Sequence, residues 1–141
     1  MSNMTIDEIF KEESSRAVQT RMDLIDLARK GITKRSLRRL SEISSITVKE
    51  LAELLPISLR QFQRYDEEKR MKRDVSEHVI LIAEVFLKGM DIFDSPEELK
   101  LWLKSPLLSF GQRTPFGLLD TSYGVQMVMD ELGRMEHGVY S

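Results

Sequence analysis

The stretch from Thr47 to Tyr65, TVKELAELLPISLRQFQRY, has the pattern of two short helices joined by a tight turn. Thr47 and Glu50 form a capping box, in which each side chain satisfies a free backbone N–H group at a helix start. Pro56 predicts the turn, because the residue before a proline avoids the helical region. Ser58 then caps the second helix. This arrangement is typical of a helix-turn-helix, whose second helix enters the major groove of DNA.

The second helix of this pair has an apolar side and a polar side. Leu59, Phe62 and Tyr65 recur at helical spacing and predict its buried side. Long polar side chains occupy the opposite side, where a recognition helix contacts base edges and phosphates. The candidate DNA-binding residues of this helix are Ser58, Arg60, Gln61, Gln63 and Arg64. Helix pairs also fill all-α proteins that do not bind DNA, with a polar face that is simply hydrated, so the spacing alone leaves both interpretations open.

The charge around the pair favours a nucleic acid. Residues 29–73 contain 13 basic and 6 acidic residues, whereas residues 1–28 and 74–141 are both acidic overall. A basic middle between acidic flanks suggests a polyanion-binding segment attached to a part with a different role. The basic residues expected to contact the DNA backbone before the pair are Lys34, Arg35, Arg38 and Arg39. Because one such unit covers few base pairs, we expect a homodimer on an inverted repeat.

Helix signals extend along the whole chain, and strand signals are almost absent. A capping box at Thr5 and Glu8 starts the first helix, and Gly31 is expected to end a second one that covers Ala17 to Lys30. Further helices are expected after Thr33, from Ser76 to Gly89, after Ser95 in the segment SPEE, and from about Ser122 to His137. The sequence therefore predicts an all-α fold.

Several functional classes receive no support from the composition. The 141 residues include no cysteine, no apolar run of membrane-spanning length and no signal-peptide pattern, which favours a cytoplasmic protein without a membrane association. The two histidines, His78 and His137, lack clustered carboxylates, so we expect no metal site; His78 is expected at the surface or at a helix cap. Neither a nucleophile elbow nor a glycine-rich phosphate loop is present, so we predict no catalytic residue, no cofactor and no enzymatic activity.

The acidic C-terminal third carries a specific resemblance. Its elements are Trp102-Leu103, Pro106, Gly111, Thr114-Pro115, Leu118-Leu119, Thr121, Gly124, Val128, Leu132 and the closing Glu136-His137-Gly138-Val139-Tyr140. In this order and spacing, residues 101–141 resemble the toxin-binding domain of the Xre/ParS/MbcA family of antitoxins. Residues 31–93 more loosely resemble the Xre-like helix-turn-helix domain of the same family.

The resemblance implies a type II antitoxin that represses its own operon by binding operator DNA. Its partner would be a RES-domain toxin, a protein with an ADP-ribosyltransferase-like fold that consumes or uses NAD. In such pairs the C-terminal domain covers the toxin, and the terminal segment plugs its NAD cleft. The residues that we expect to carry toxin inhibition are Arg134, Glu136, His137, Gly138, Val139, Tyr140 and Ser141.

Two interpretations of the C-terminal part remain open from the residues alone. Val139 and Tyr140, which follow a helix-ending glycine, either pack on the protein's own helices or are buried only in a partner. The alternative to an antitoxin is a plain dimeric helix-turn-helix transcriptional regulator with a C-terminal dimerisation or ligand-sensing domain. We predict an N-terminal helical arm (residues 1–30), an Xre-like helix-turn-helix domain (31–93) and a toxin-binding domain (94–141).

Overall fold

The computed structural model describes residues 4–138, and its regular secondary structure in that range is helical throughout. The α-helices are α1 (Ile6–Ile9), α2 (Arg21–Lys30), α3 (Lys34–Ser44), α4 (Val48–Ala52), α5 (Leu59–Arg64), α6 (Arg73–Ile92), α7 (Pro96–Leu103) and α8 (Ser122–Glu136). Short 3₁₀ helices cover Lys11–Glu13, Leu108–Phe110 and Phe116–Leu118. The predicted all-α fold is confirmed. No helix among the described residues is long and apolar enough to cross a membrane.

Local side-chain caps start most of the helices where the sequence predicts. The capping boxes of Thr5 with Glu8 and of Thr47 with Glu50 are both formed. Ser95 caps α7, with Pro96 in its first turn, and accepts a hydrogen bond from the backbone N–H of Glu98 at 3.2 Å. Each cap joins residues only three positions apart, so the helix start follows from the local sequence.

The predicted start of α2 at Ala17 is wrong, because a later capping box fixes the start at Arg21. Thr20 accepts a hydrogen bond from the Asp23 N–H at 3.1 Å. The Asp23 carboxylate accepts hydrogen bonds from the backbone N–H groups of Gln19 and Thr20, both at 2.9 Å. These bonds lower the pKa of Asp23 and hold the preceding residues outside the helix.

The predicted start of α6 at Ser76 is also wrong, since the helix already begins at Arg73. Ser76 lies one turn inside it, fully buried. Its hydroxyl accepts a hydrogen bond from the Ile32 N–H at 3.0 Å and donates one to the Met71 carbonyl at 3.1 Å. A serine that resembles a cap in the sequence therefore fastens α6 to the loop before α3.

Helix α6 is the centre of the molecule, and it contacts α1, α2, α3, α7 and α8. Its side chains Val79, Ile82 and Phe86 are completely buried. They belong to one continuous hydrophobic core that extends from Ile9 in α1 to Leu132 in α8. All three predicted segments of the chain therefore contribute to the same core.

Two glycines allow close contacts in the C-terminal part. A Cβ atom on Gly89 of α6 would lie 2.4 Å from Cδ1 of Leu99 in α7. A Cβ atom on Gly124 of α8 would lie 1.6 Å from the Leu118 carbonyl oxygen. Because Gly124 has no side chain, the first turn of α8 can lie directly against the preceding 3₁₀ helix.

Candidate nucleic-acid interface and C-terminal surface

The helix-turn-helix motif consists of α4, a turn at residues 53–58, and α5. Leu54 and Leu55 are buried in the turn, and the Ile57 N–H donates to the Leu55 carbonyl at 2.8 Å. Ser58 and Gln61 form a further capping box, with both of their hydrogen bonds at 3.0 Å. The buried turn and the double cap fix the position from which α5 starts.

The outer face of α5 is exposed as the sequence predicts, with Arg60, Gln61, Gln63 and Arg64 in solvent and Phe62 buried beneath them. Gln61 uses its side-chain oxygen in the cap, and the NH₂ group of its amide is left to donate to a ligand. Among residues 4–138, neither Arg60 nor Arg64 has an ion-pair partner. These two guanidinium groups are therefore available to bind phosphate or a base edge.

Lys34 lies under α5 rather than on the surface, and its residue is only 8% exposed. Its ammonium group is 3.5 Å from the Gln63 carbonyl oxygen and 4.7 Å from the centre of the Phe62 ring. A cation near the last carbonyls of a helix compensates their partial negative charge. This placement corrects the expectation of a backbone contact: Lys34 supports the recognition helix from below.

The other three predicted backbone contacts lie on the surface of α3, each beside a carboxylate. Arg38 donates hydrogen bonds from two N–H groups to the carboxylate of Glu67, and its Nε is 2.9 Å from Oε1 of Glu67. Arg35 pairs with Glu68, and Arg39 lies 4.0 Å from Glu42. The Arg38 guanidinium lowers the pKa of Glu67, and the carboxylates raise the pKa values of Arg35 and Arg38.

A buried carboxylate joins the N-terminal arm to the start of α3. Glu13 is 2% exposed and accepts hydrogen bonds from the Thr33 N–H (3.1 Å), the Thr33 hydroxyl (2.8 Å) and the Ser36 hydroxyl (2.7 Å). Arg70 lies 4.0 Å from the same carboxylate and donates to the Gly31 carbonyl at 2.7 Å. Sequence reasoning missed Glu13, since nothing in its neighbourhood indicates partners twenty residues away.

His78 is likewise buried, which corrects its expected place at the surface or at a helix cap. Its Nε2 lies 2.7 Å from the Leu119 carbonyl oxygen. A carbonyl oxygen only accepts hydrogen bonds, so Nε2 carries the proton and donates it. His78 thus links the middle of the chain to the segment before α8.

Lys100 of α7 and Lys104, the residue that follows α7, connect the C-terminal part to α3 and α4. Lys104 forms an ion pair with Glu50 of α4 at 2.5 Å and lies 4.2 Å from the centre of the Phe116 ring. Lys100 donates to the Ser45 carbonyl, at the end of α3, at 2.9 Å. The Lys104 hydrogen bond, followed by the one from the Thr47 N–H, lowers the pKa of Glu50.

The predicted toxin-binding residues that the structure describes lie at the end of α8. Arg134 pairs with Glu131, and Glu136 pairs with Lys88 of α6, which lowers the pKa of Glu136. His137 is exposed, and Gly138 has the expected positive φ, +74°. Val139, Tyr140 and Ser141 lie outside the described residues. Within residues 4–138 no three metal-ligating side chains come together.

Comparisons with known proteins agree with this geometry. Residues 23–84 match the antitoxin Xre-like helix-turn-helix domain, and residues 88–138 match the antitoxin Xre/MbcA/ParS C-terminal toxin-binding domain. Two proteins named Antitoxin Xre, from Yersinia enterocolitica and Photorhabdus laumondii, are each 31% identical to the chain, over 80 and 87 residues. The aligned parts cover 56% and 60% of this chain, which spans 54% and 59% of those relatives. A Sphingobium protein named Prs ADP-ribosylating antitoxin is 26% identical over 130 residues, which cover 85% of this chain and 82% of that protein.

Proposed function

The chain belongs to the Xre/MbcA/ParS family of antitoxins, and on this premise we propose that it neutralises a cognate toxin and represses its own operon. The observation that carries the proposal is the presence of two different binding parts on one core. The recognition helix of the helix-turn-helix carries two arginines without an ion-pair partner among residues 4–138, and residues 88–138 match a toxin-binding domain. A plain transcriptional regulator does not need the second part.

The DNA-binding half acts through α5 and the neighbouring face of α3. Arg60, Gln63 and Arg64 contact bases or phosphates, with the amide group of Gln61 beside them. Ser58 contributes by fixing the start of α5 and by offering its exposed N-cap to a phosphate. Arg35, Arg38 and Arg39 contact the DNA backbone, and two copies of the chain occupy the halves of an inverted repeat.

The toxin-binding half acts through the end of α8 and the residues that follow it. Arg134 and His137 are exposed, and Gly138 has the positive φ that is common where a helix ends. Val139 and Tyr140 are the apolar anchors of the segment that enters the toxin's NAD cleft, with Glu136 and Ser141 on either side. The name of the Sphingobium relative refers to ADP-ribosylation, a reaction that consumes NAD, which supports a RES-domain toxin as the partner.

Co-expression with the product of the neighbouring gene tests both halves, on the expectation that this product is the RES-domain toxin. The complex is purified with the full chain and with a chain that lacks Gly138–Ser141, and NAD consumption is measured for each. We expect the full chain to suppress NAD consumption and the shortened chain to lose this effect while it still binds operator DNA. If the full chain binds no such partner and the shortened chain behaves like the full one, the plain regulator is the better explanation.

Two tyrosine variants test more specifically whether the closing segment neutralises the toxin. Tyr140→Ala removes the proposed anchor, and we expect it to weaken neutralisation. Tyr123→Ala is the matched control, because Tyr123 lies at the other end of α8 and is 88% exposed. An equal loss from both variants would contradict a specific role of the closing segment.

A further inference from the structure

Three acidic residues, Asp66, Glu67 and Glu68, follow the recognition helix after Tyr65 and are here called the acidic loop. Two of them pair with the arginines of α3 to which the proposed function assigns phosphate contacts. We propose that Glu67 and Glu68 restrain DNA binding by occupying Arg38 and Arg35, so that a phosphate must displace a carboxylate at each position. This inference rests on the proposed DNA-binding function. In it, the acidic loop controls how tightly the chain binds DNA.

The geometry resembles phosphate binding. The guanidinium of Arg38 donates two N–H groups to the two oxygens of Glu67, the forked arrangement that arginine also uses towards a phosphate. The carboxylate of Glu67 thus fills the position that a DNA phosphate would take. Arg35 and Glu68 form the second such pair on the same helix face.

Both pairs are accessible to DNA. The side chains of Arg38 and Glu67 are 53% and 50% exposed, and that of Glu68 is 79% exposed. Ion pairs between exposed side chains contribute little net free energy, so an incoming polyanion competes with them successfully. After displacement, the carboxylates of the acidic loop still lie close to the DNA. At separations shorter than the Debye length, salt does not fully screen their repulsion of the phosphates.

The pairs are not required to hold the recognition helix in place. The start of α5 is fixed by the Ser58–Gln61 capping box, and its end by Lys34 below the Gln63 carbonyl. Phe62 anchors its middle in the core. Removing the carboxylate charges of the acidic loop should therefore leave α5 where it is and change mainly the electrostatics of its surroundings.

The experiment measures binding of the full chain to a labelled duplex taken from immediately upstream of its coding sequence, with an unrelated duplex as reference. Fluorescence anisotropy is recorded over a series of salt concentrations for the wild type, Glu67→Gln, Glu68→Gln and the double variant. We expect the double variant to bind about tenfold more tightly at low salt. The slope of log K against log salt should steepen by up to about 2, because two more cations become free to neutralise phosphates.

Asp66→Asn is the matched control, since it removes the same charge from the same loop, while no arginine of the described chain is paired with Asp66. We expect it to tighten binding much less than Glu67→Gln. The Arg38→Ala substitution should cost more affinity in the Glu67→Gln background than in the wild type, because only there is Arg38 free. Thermal melting confirms that each variant is folded.

The outcomes separate this inference from the proposed function. Unchanged or weaker binding by the double variant, or equal tightening by Asp66→Asn, would overturn the restraint while the DNA-binding function stands. If neither the wild type nor the double variant binds either duplex at low salt, both proposals fail. Binding that appears only in the double variant supports the restraint in its strongest form.

Discussion

The carboxylate of Glu13 is the most deeply buried acidic group among the described residues, and three donors from the start of α3 surround it. A buried charge costs free energy unless hydrogen bonds compensate it. Those donors replace water and fasten the N-terminal arm to the first turn of α3. The arm is thereby held against α3, the helix that precedes the helix-turn-helix motif.

We expect Glu13→Ala to lower the free energy of unfolding by about 2–3 kcal/mol, because hydrogen bonds to a charged group are among the stronger ones and their donors lose their acceptor. Urea denaturation followed by circular dichroism measures this change. Glu12→Ala is the control: Glu12 is the exposed neighbour, and its removal should change stability by less than about 0.5 kcal/mol. Equal effects of the two substitutions would contradict the role of Glu13.

The hydrogen bond of His78 gives a second prediction for a single residue. His78→Leu places an apolar side chain in the core but leaves the Leu119 carbonyl without its donor, which should cost about 1–3 kcal/mol. His137→Leu, at an exposed position, serves as the control and should have little effect. A denaturation midpoint for His78→Leu that equals the wild-type value would show that this bond contributes nothing.

Residues of this kind could not be predicted from the sequence. The partners of Glu13, Lys34 and His78 are 20 to 41 positions away along the chain, and no local pattern indicates them. The exposed face of α5 could be predicted, because helical spacing alone separates Phe62 from Arg60 and Arg64. Of the site, therefore, the recognition surface follows from the sequence, whereas its supports and its acidic neighbours Glu67 and Glu68 do not.

Among the elements, α8 contains two glycines that differ clearly in the space around them. A side chain on Gly124 would collide with the Leu118 carbonyl oxygen, whereas nothing lies within 4 Å of a Cβ placed on Gly133. We expect Gly124→Ala to destabilise the protein by about 3 kcal/mol, since backbone must move. Gly133→Ala should instead stabilise it by up to about 1 kcal/mol through helix propensity.

Thermal unfolding of the two variants measures this difference, with opposite shifts of the midpoint as the expected result. Because the two substitutions are chemically identical and lie in the same helix, they differ only in what surrounds the new methyl group. A stabilising effect of Gly124→Ala would mean that α8 does not lie against residues 116–118 as described.

The presence of the α-helices could be predicted from the sequence better than the residues at which they begin. Caps formed by residues three positions apart determine the starts of α1, α4, α5 and α7, so the sequence predicts them correctly. The starts of α2 and α6 differ from the prediction for two reasons. Hydrophobic spacing continues before α2 at Val18, which is buried outside the helix. Ser76 does not cap α6, because its hydroxyl bonds Ile32, 44 positions away, and the Met71 carbonyl.

For the molecule as a whole, the shared core predicts a single unfolding transition. Trp102, the only tryptophan, lies in α7 and reports on the C-terminal part, whereas far-UV circular dichroism reports on all helices. We expect the two signals to change at the same urea concentration, because α6 belongs to the packing of both parts. Two separate transitions would mean that the parts fold independently.

The ion pair between Glu50 and Lys104 predicts a pH dependence of the stability. Because the pKa of Glu50 is lower in the folded state than the ordinary value of 4.5, the pair stabilises the protein above that pH and loses its effect as the pH falls through the folded-state pKa. Glu50→Gln should cost up to about 1 kcal/mol at neutral pH and nearly nothing in acid.

Urea denaturation at pH 7 and pH 3 measures this difference between Glu50→Gln and the wild type. Glutamine also satisfies a capping box, so the substitution removes the pair with Lys104 while the start of α4 keeps its cap. Glu53→Gln, at an exposed position in the turn, is the control for the loss of one charge. A cost that does not change with pH would contradict the assignment to the ion pair.

The position of α6 also constrains how domains can recombine between this protein and its relatives. The region that matches the helix-turn-helix domain ends at residue 84, and the region that matches the toxin-binding domain begins at residue 88. Both positions lie inside α6 rather than in a linker. One residue added or lost there would rotate everything beyond it by about 100° about the helix axis. Recombination between relatives must therefore preserve the helical phase of α6, so that the number of residues at the junction matters as much as their identity.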